Sequence, residues 1–534
     1  MLSRTIYSWL QRIGQPESFL DPKLKDLSDQ SLILDREPVI KRIVKAIRSG
    51  ESIICYGDYD VDGTGAACIL TDCIRQCGGR VTTMLASRFN GGGYGFNDVS
   101  CDKVIALNAD LLITLDCGSS DQDRLKRVGI DAIVVDHHLI PDKPFSSNVK
   151  GFLNPHQELC SSQYKWACSG GLALSVAGGI LRELGIPKTQ INPIQWIDLC
   201  ALTTVCDVAP LTGDNRILTR YGLEAISKAE RPGIRALLEI NKIDIGHTWS
   251  GRDIGFRLGP ALNAPGRLGP PDIIVDLLLS KDIGEARRIA TSVKEIWDRR
   301  RVITDEVTEE CIKEVDSNGY FNDTAIVLSN DSWGHGIVGI SAARLVDKYK
   351  VPVCVIGHEG RGSLRGPPGS KLHSALTFCK EYLLKYGGHE AASGCQCAPE
   401  SVESFRQKFC EFFQQNPPVK PEDQFDPILE LDLEDNLLQV AKNIQLLEPC
   451  GQANPRPLIQ THGTVSQWKL VKGNHEKFDV LLPNNVLLPC FKINLTGEAL
   501  PSLLNKQVTL QGDLRTNTWN GKTKAEMFVN NVIF

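Results

Sequence analysis

The sequence predicts a multidomain α/β chain that ends in a small β-barrel, and three observations predict it. From about residue 52 to 140, short apolar runs alternate with helix-length segments, the rhythm of a parallel sheet with helices on both faces. A second, smaller stretch of the same kind covers 319–415. Residues 428–534 instead carry short strand-like runs bounded by turn signals, including FDVLLP, NVLLPCFKI, QVTLQGDL and AEMFVNNVIF. The chain has 534 residues, enough for roughly three or four domains. It is 42% hydrophobic and 23% charged, which excludes a mostly disordered, collagen-like or coiled-coil chain.

Taken in order, residues 1–45 form an N-terminal segment. It opens MLSRTIYSWLQRIGQPES, with no apolar stretch of signal-peptide length and no small-residue cleavage site, and reads as a short amphipathic helix. The first α/β domain covers 46–284. SIICYG (Ser52–Gly57) is a strand. Thr64–Cys77 has apolar residues at Ala67, Leu70, Ile74 and Cys77, a helical spacing closed by Gly78-Gly79. DLLITLD (110–116) and DAIVVD (131–136) are two more strands, and 166–240 reads as mainly helical. Residues 285–318 contain no Gly or Pro and repeat apolar positions at helical steps from Ile289 to Cys311. At 1.5 Å per residue this helix runs roughly 50 Å. Its length and charge point to a connector rather than a core element. In 319–415, TAIVLS and VPVCVIG are strands and Gly336–Tyr349 a helix. NPPVKPEDQFDP (416–427) is a linker, and 428–534 is the barrel.

The charge balance is 59 − 64 = −5, which excludes a uniformly basic coat but not a local basic groove. Val440–Phe534 holds 10 Lys/Arg against 6 Asp/Glu, while Glu422–Asp435 holds seven acids and no base. The charge is therefore segregated. The longest window without a charged residue is Trp166–Leu181, 16 residues, short of the roughly 20 that span a bilayer. The 18 cysteines include no C-x-x-C pair, which suggests reduced thiols and a cytoplasmic protein.

Three strand-like runs end in acid. SIICYG leads into Asp58-Tyr-Asp60-Val-Asp62-Gly63, DLLITLD ends in Asp116, and DAIVVD ends in Asp136-His137-His138. Asp207 follows the apolar run LCALTTVC. In an open parallel sheet, ligands gather at the carboxyl ends of the strands, so these side chains can converge. Carboxylates so crowded repel one another unless a cation neutralises them. Oxygen ligands with one or two imidazoles suit Mg²⁺ or Mn²⁺. An EF-hand reading of DxDxDG fails, because loop position 12 would need Glu and is Ile69. A single strand-end Asp is usually a turn residue or a helix cap. Three within 80 residues, one followed by His-His, is a much more specific pattern.

DYDVDG (58–63), TLDCG (114–118), VVDHH (134–138) and VCDVAP (205–210) resemble, in order and spacing, the four motifs of the DHH phosphoesterase superfamily. RFNGGGYGFN (88–97), NAPGRLG (263–269), WGHGIVGISAARL (333–345), YGGHEAASG (386–394) and LEPCGQANPRP (447–457) resemble the RecJ family of single-stranded-DNA-specific exonucleases. The likeness runs from about Phe19 onward. It implies a parallel-sheet DHH domain, a long connecting helix, a DHH-associated domain and a C-terminal OB-fold.

The resemblance also implies roles. Two divalent ions, Mn²⁺ or Mg²⁺, would be held by Asp60 and Asp62, one each, with Asp116 between them and His137 and Asp207 completing the second site. Asp58, Asp136, His138 and His389 would be catalytic, His138 on the scissile phosphate and Asp136 orienting its neighbours. Ser363, Arg365, Gly387, Gly388 and His389 would bind phosphate. Arg88 and Arg267 would hold the 5′-terminal phosphate. The family's GS-x-RS has Gly366, then Pro367-Pro368, where Ser would stand. In the OB unit Trp468, Lys469, Lys472, Lys477 and Trp519 are candidate DNA contacts, though the tryptophans also suit the barrel's core or rim. The implied activity is 5′→3′ hydrolysis of single-stranded DNA to 5′-mononucleotides in recombination and repair. The implied partners are a helicase and a single-stranded-DNA-binding protein, with no membrane, and the chain reads as a monomer. Two rivals are a phosphodiesterase of short oligonucleotides or cyclic dinucleotides, and an inactive DNA-binding scaffold.

Overall fold

The computed structural model describes residues 2–89, 93–142, 144–419, 425–471, 475–493, 502–519 and 521–534. The N-terminal helix α1 (Arg4–Arg12) buries Ile6, Trp9 and Leu10 not in a domain of its own but in the core of the C-terminal barrel. Asp435 there caps it, accepting the Arg4 and Thr5 backbone N–H groups at 2.9 and 2.7 Å. Helix α2 (Arg36–Ser49) runs across residue 45 and packs into the first domain.

That domain is built from β1 (Ser52–Gly57), α3 (Val61–Gln76), β2 (Arg80–Leu85), α4 (Asp98–Ala106), β3 (Leu111–Leu115), α5 (Gln122–Val128), β4 (Asp131–Val135) and β5 (Val149–Leu153). The sheet is wholly parallel, in the order β2-β1-β3-β4-β5. The order reverses between β1 and β3, which opens a crevice at their carboxyl ends. Strands β2 and β5 carry too few apolar residues to announce themselves in the sequence. Helices α6 (Ser169–Glu183), α7 (Ile197–Cys206), α8 (Gly213–Lys228) and α9 (Pro232–Ile240) extend the same core.

Helix α10 (Ile283–Asn318) is a single run of 36 residues. It does connect two domains, but its ends are core elements, unlike the expectation drawn from its charge. Ala286, Ile289, Ala290 and Val293 join the first core, and Val307, Cys311 and Val315 join the second. The second domain has β6 (Ile326–Ser329), α11 (Val338–Tyr349), β7 (Val353–Ile356), β8 (Arg361–Arg365), α12 (Leu372–Phe378), β9 (Lys385–Gly388), β10 (Ala392–Gln396) and α13 (Val402–Gln415). Its sheet order is β6-β7-β8-β10-β9, parallel only at β6-β7.

The C-terminal unit follows with β11 (Ile428–Glu430), α14 (Leu437–Leu446), β12 (Leu458–Val471), β13 (His475–Leu481), β14 (Leu487–Lys492), β15 (Gln507–Trp519) and β16 (Lys522–Ile533). Pairing of β12 with both β13 and β15 closes these strands into a barrel. Among the described residues no helix is long and apolar enough to cross a membrane.

Candidate metal centre and anion pocket

The register of three adjacent strands builds the site. Gly57 pairs with Leu115, and Leu115 with Val135, so β1, β3 and β4 end level. The next residue of each is acidic: Asp58, Asp116 and Asp136. Their backbone N–H groups continue the ladder, onto the carbonyls of Leu115, Val135 and Leu153 at 3.2, 3.0 and 3.0 Å. All three side chains are at most 2% exposed.

The remaining acids arrive on helices. Asp60 is the N-cap of α3 and accepts from the Asp62 and Gly63 N–H groups at 2.9 and 3.1 Å. The glycine that ends DYDVDG is forced by close approach, since a Cβ at Gly63 would meet Asp58 N at 2.4 Å. Asp62, in the first turn of α3, accepts the Ser169 and Gly170 N–H groups, at 2.7 and 2.8 Å, from the start of α6. Asp207 is the C-cap of α7.

His137 stands among these acids. Its Nε2 lies 3.2 Å from Asp116, 3.6 Å from Asp62 and 3.7 Å from Asp207. Asp136 holds the turn itself, accepting from the backbone N–H of Ser119, His137 and His138, and from His138 Nδ1 at 2.8 Å. Burial alone would raise the Asp136 carboxyl, but His138 and these hydrogen bonds hold it well below the usual range. Burial likewise opposes the charge on His138, yet Asp136 raises it to about 9. His138 Nε2 meets the Tyr94 hydroxyl at 2.7 Å. Burial, then repulsion from neighbouring acids, pushes Asp58, Asp60 and Asp116 up, and Asp207 up to about 8.

The donor set fits divalent cations. Asp58, Asp60 and Asp116 bring one oxygen each to within 4.8 Å of one another. So do the ligand atoms of Asp62, His137 and Asp207, and those of Asp116, His137 and His138. Asp58 Oδ2 is buried with no hydrogen-bond partner. Buried, mutually repelling oxygens around one imidazole are what a hard cation satisfies.

A second feature borders the first. The Arg88 guanidinium lies 4.3 Å over the ring of Tyr59, the residue between Asp58 and Asp60. Burial, then Arg88, Arg300 and Arg365, lowers Arg267 to about 10. Arg267 reaches the Gly336 carbonyl at 3.1 Å, and the Nε atoms of Arg88 and Arg300 are buried without partners. Cations crowded in this way define an anion pocket. Arg300, from IWDRRR on α10, is not singled out by sequence, because that stretch departs from the asparagine-containing pattern of the family it resembles. Tyr94, Ser169 and Asn154 were missed as well. Tyr94 lies within the RFNGGGYGFN motif and Ser169 at the helix start Cys168-Ser-Gly-Gly, while Asn154 carried no signal.

Arg365 closes β8, with Nη1 on the Leu364 carbonyl at 2.7 Å and Ser363 Oγ at 3.3 Å. A Cβ at Gly366 would meet Ser370 Oγ at 2.4 Å, so Ser370 occupies the space beside Gly366. Gly387 and Gly388 end the exposed edge strand β9 of the second sheet, and His389 follows it, exposed. No hydrogen bond or ion pair joins His389 to the acidic cluster among the described residues. In the barrel, Trp468 is half-buried at the rim, with Nε1 on Glu476 at 3.1 Å. Lys469 and Lys477 are exposed and directly paired. Lys472, like Asn90-Gly91-Gly92 of the RFNGGGYGFN motif, lies outside the described residues, and so does the Trp519 side chain.

Family models for the DHH family N-terminal domain, the DHHA1 domain and the RecJ OB domain match residues 52–204, 322–415 and 429–531. The single-stranded-DNA-specific exonuclease RecJ of Dickeya dadantii is 30% identical over 99% of this chain and 95% of its own length. The chain belongs to the RecJ family. It is 29% identical to RecJ of Bacillus subtilis over 96% of this chain, and spans 65% of that protein's length. The crystal structure of RecJ from Thermus thermophilus in complex with Mn²⁺ matches 100% of this chain and 76% of its own, with TM-score 0.83 and 27% identity. That protein's Mg²⁺ complex matches 99% and 74%, with TM-score 0.78 and 25% identity.

Proposed function

We propose that this RecJ-family chain is a metal-dependent exonuclease that digests single-stranded DNA from its 5′ end and releases 5′-mononucleotides. The observation that carries the polarity is the anion pocket of Arg88, Arg267, Arg300 and Arg365 against the acidic cluster, with Tyr59 between them. A terminal phosphate held by the arginines leaves the adjoining phosphodiester for the acids. Asp58, Asp60 and Asp116 would hold one ion, and Asp62, His137 and Asp207 the other, with Asp116 between. When bound, two such ions activate water and neutralise charge on the phosphate. Asp136 accepts from His138 Nδ1 and so orients the ring, whose Nε2 would then face a phosphate oxygen. Arg365, Ser363 and the Gly387-Gly388-His389 edge would hold the downstream backbone, and Trp468 and Lys469 the strand beyond it. The protein would act as a cytoplasmic monomer on strands opened by a helicase and covered by a single-stranded-DNA-binding protein.

The test is a 5′-phosphorylated single strand labelled at its 3′ end, given with Mn²⁺ beside duplex, EDTA and dinucleotide controls. Progressive shortening of the single strand alone, lost in EDTA, is the expected outcome. An intact strand beside rapid dinucleotide hydrolysis would place the enzyme on short substrates instead. Shortening from the 3′ end would overturn the polarity.

A further inference from the structure

Trp166 is the one exposed tryptophan among the described residues, with 62% of its surface accessible. Its surroundings make this unusual. Tyr164, Ala167, Cys168 and Ser169 are at most 3% exposed, and the Trp166 carbonyl accepts from the buried Asn215 Nδ2 at 2.6 Å. A pinned backbone thus projects the largest side chain into solvent. Tryptophan is rarely left in that state without a use.

Its position ties it to the site on both sides. Three residues on, Ser169 donates its N–H to Asp62. Across the ring, His156 lies edge-on at 5.7 Å. The His156 N–H binds Asn154 Oδ1 at 2.9 Å, and Asn154 Nδ2 holds the His138 carbonyl at 2.9 Å. The indole therefore stands beside the acidic cluster: its ring meets His156, whose N–H is tied through Asn154 to His138, and its chain runs on to Ser169, which holds Asp62. Its neighbour Lys165 turns inward, onto the carbonyls of Pro155 and Cys160, and offers no charge to a ligand. What remains is a flat, rigid, uncharged surface.

We propose that Trp166 is the stacking platform for a nucleobase of the single strand, next to the phosphate that the acidic cluster holds. This rests on the exonuclease reading and adds a base contact to it. Stacking on an aromatic ring tolerates every base, and its loss corresponds to roughly a 10-fold change in affinity. Because no cation takes part, the contact is insensitive to salt.

The test compares wild type, Trp166→Ala and Trp166→Phe on a single strand, and on the same strand with an abasic site moved along its 5′ end. Trp166→Ala is expected to raise KM about 10-fold at every salt concentration with little change in kcat, and Trp166→Phe to restore most of it. One abasic position should impose the same rise on wild type and none on Trp166→Ala. Equal KM for wild type and Trp166→Ala, or an abasic penalty undiminished in Trp166→Ala, would overturn the platform. If wild type cut no strand at all, the exonuclease reading would fall instead. Anisotropy of a labelled strand without divalent cation would then judge the platform alone, with equal affinities counting against it.

Discussion

Asp207→Asn separates the electrostatic cost of the site from its use. Asp207 closes α7 at the end where the helix dipole is negative, and burial with Asp62 and Asp60 raises its carboxyl from 3.8 to about 8. In metal-free protein a carboxyl so raised costs nothing below about pH 4. The cost grows as pH climbs towards 8 and is constant above it. A difference of about 4 pH units at 1.36 kcal/mol each gives a ceiling of about 6 kcal/mol. The side chain is 24% exposed and shares its repulsion with Asp60 and Asp62, so about 3 kcal/mol is expected. Asparagine gives up little in exchange, because the carboxylate's one ion-pair contact is His137 at 3.7 Å. Urea denaturation of EDTA-treated protein should show Asp207→Asn more stable than wild type by about 3 kcal/mol near pH 9, with the gap closing towards pH 4. Added Mn²⁺ should stabilise wild type more than the variant, which keeps the Asp58, Asp60 and Asp116 group intact but not that of Asp62, His137 and Asp207. A gap that does not change with pH would refute the reasoning.

Asp116→Ala should lower mononucleotide release by roughly 10³-fold while strand binding, read by anisotropy, persists through the barrel. Arg267→Ala should cut the preference for a 5′-phosphate over a 5′-hydroxyl strand by roughly 10-fold in KM, the loss of a charge-assisted hydrogen bond. Gly388 has φ +120°, and a Cβ there would meet Ser393 Cα at 2.7 Å, whereas a Cβ at Gly387 meets nothing within 4 Å. Thermal melts should therefore show Gly388→Ala destabilised by about 1–3 kcal/mol and Gly387→Ala nearly unchanged. Trp9→Ala should cost the barrel about 3–5 kcal/mol and release α1, seen as early proteolysis of the N-terminus.

What the sequence made legible was local or periodic. Strands β1, β3 and β4 are continuous apolar runs because both their faces are buried, and each announces its acid by ending in it. Helix α10 shows its period because no Gly or Pro interrupts it. The edge strand β2 (RVTTML) and β5 (VKGFL) were not legible, since an edge or partly exposed strand needs few apolar residues. Helix α1 gave its own amphipathic pattern but not its partner, which lies more than 400 residues away at Asp435 and Asn443. Residue 45 marks no boundary in α2, because contact with β5 and α6 and not composition decides where the domain begins. In the site, the acids that converge were legible as motifs. Asn154, which acts through its amide, carries no distinctive type or spacing, and Ser169, which acts through a backbone N–H, shows only as the start of a helix.

The acids differ in how the fold tolerates them, and the difference follows from which end of an element each one meets. Asp58 accepts the Gly95 N–H at 3.1 Å, Asp60 and Asp62 accept the first N–H groups of α3 and α6, and Asp136 accepts three backbone N–H groups. Backbone dipoles oriented in this way offset negative charge without any cation. Among the described residues, the Asp116 and Asp207 carboxylates have no such support. Asp116 sits in the left-handed region at φ 63°, and its carboxylate meets the Ser169 hydroxyl, the two histidine rings and the Asp60 carboxyl, while Asp207 faces the wrong end of α7. The backbone N–H groups orient the supported acids into a cradle but do not discharge it: burial and repulsion still raise Asp58 and Asp60, and Asp58 Oδ2 has no hydrogen-bond partner, so a cation would relieve supported and unsupported acids alike. The need for a cation then follows from how many carboxylates the strand ends crowd together, and the helix termini decide how unevenly the acids share it.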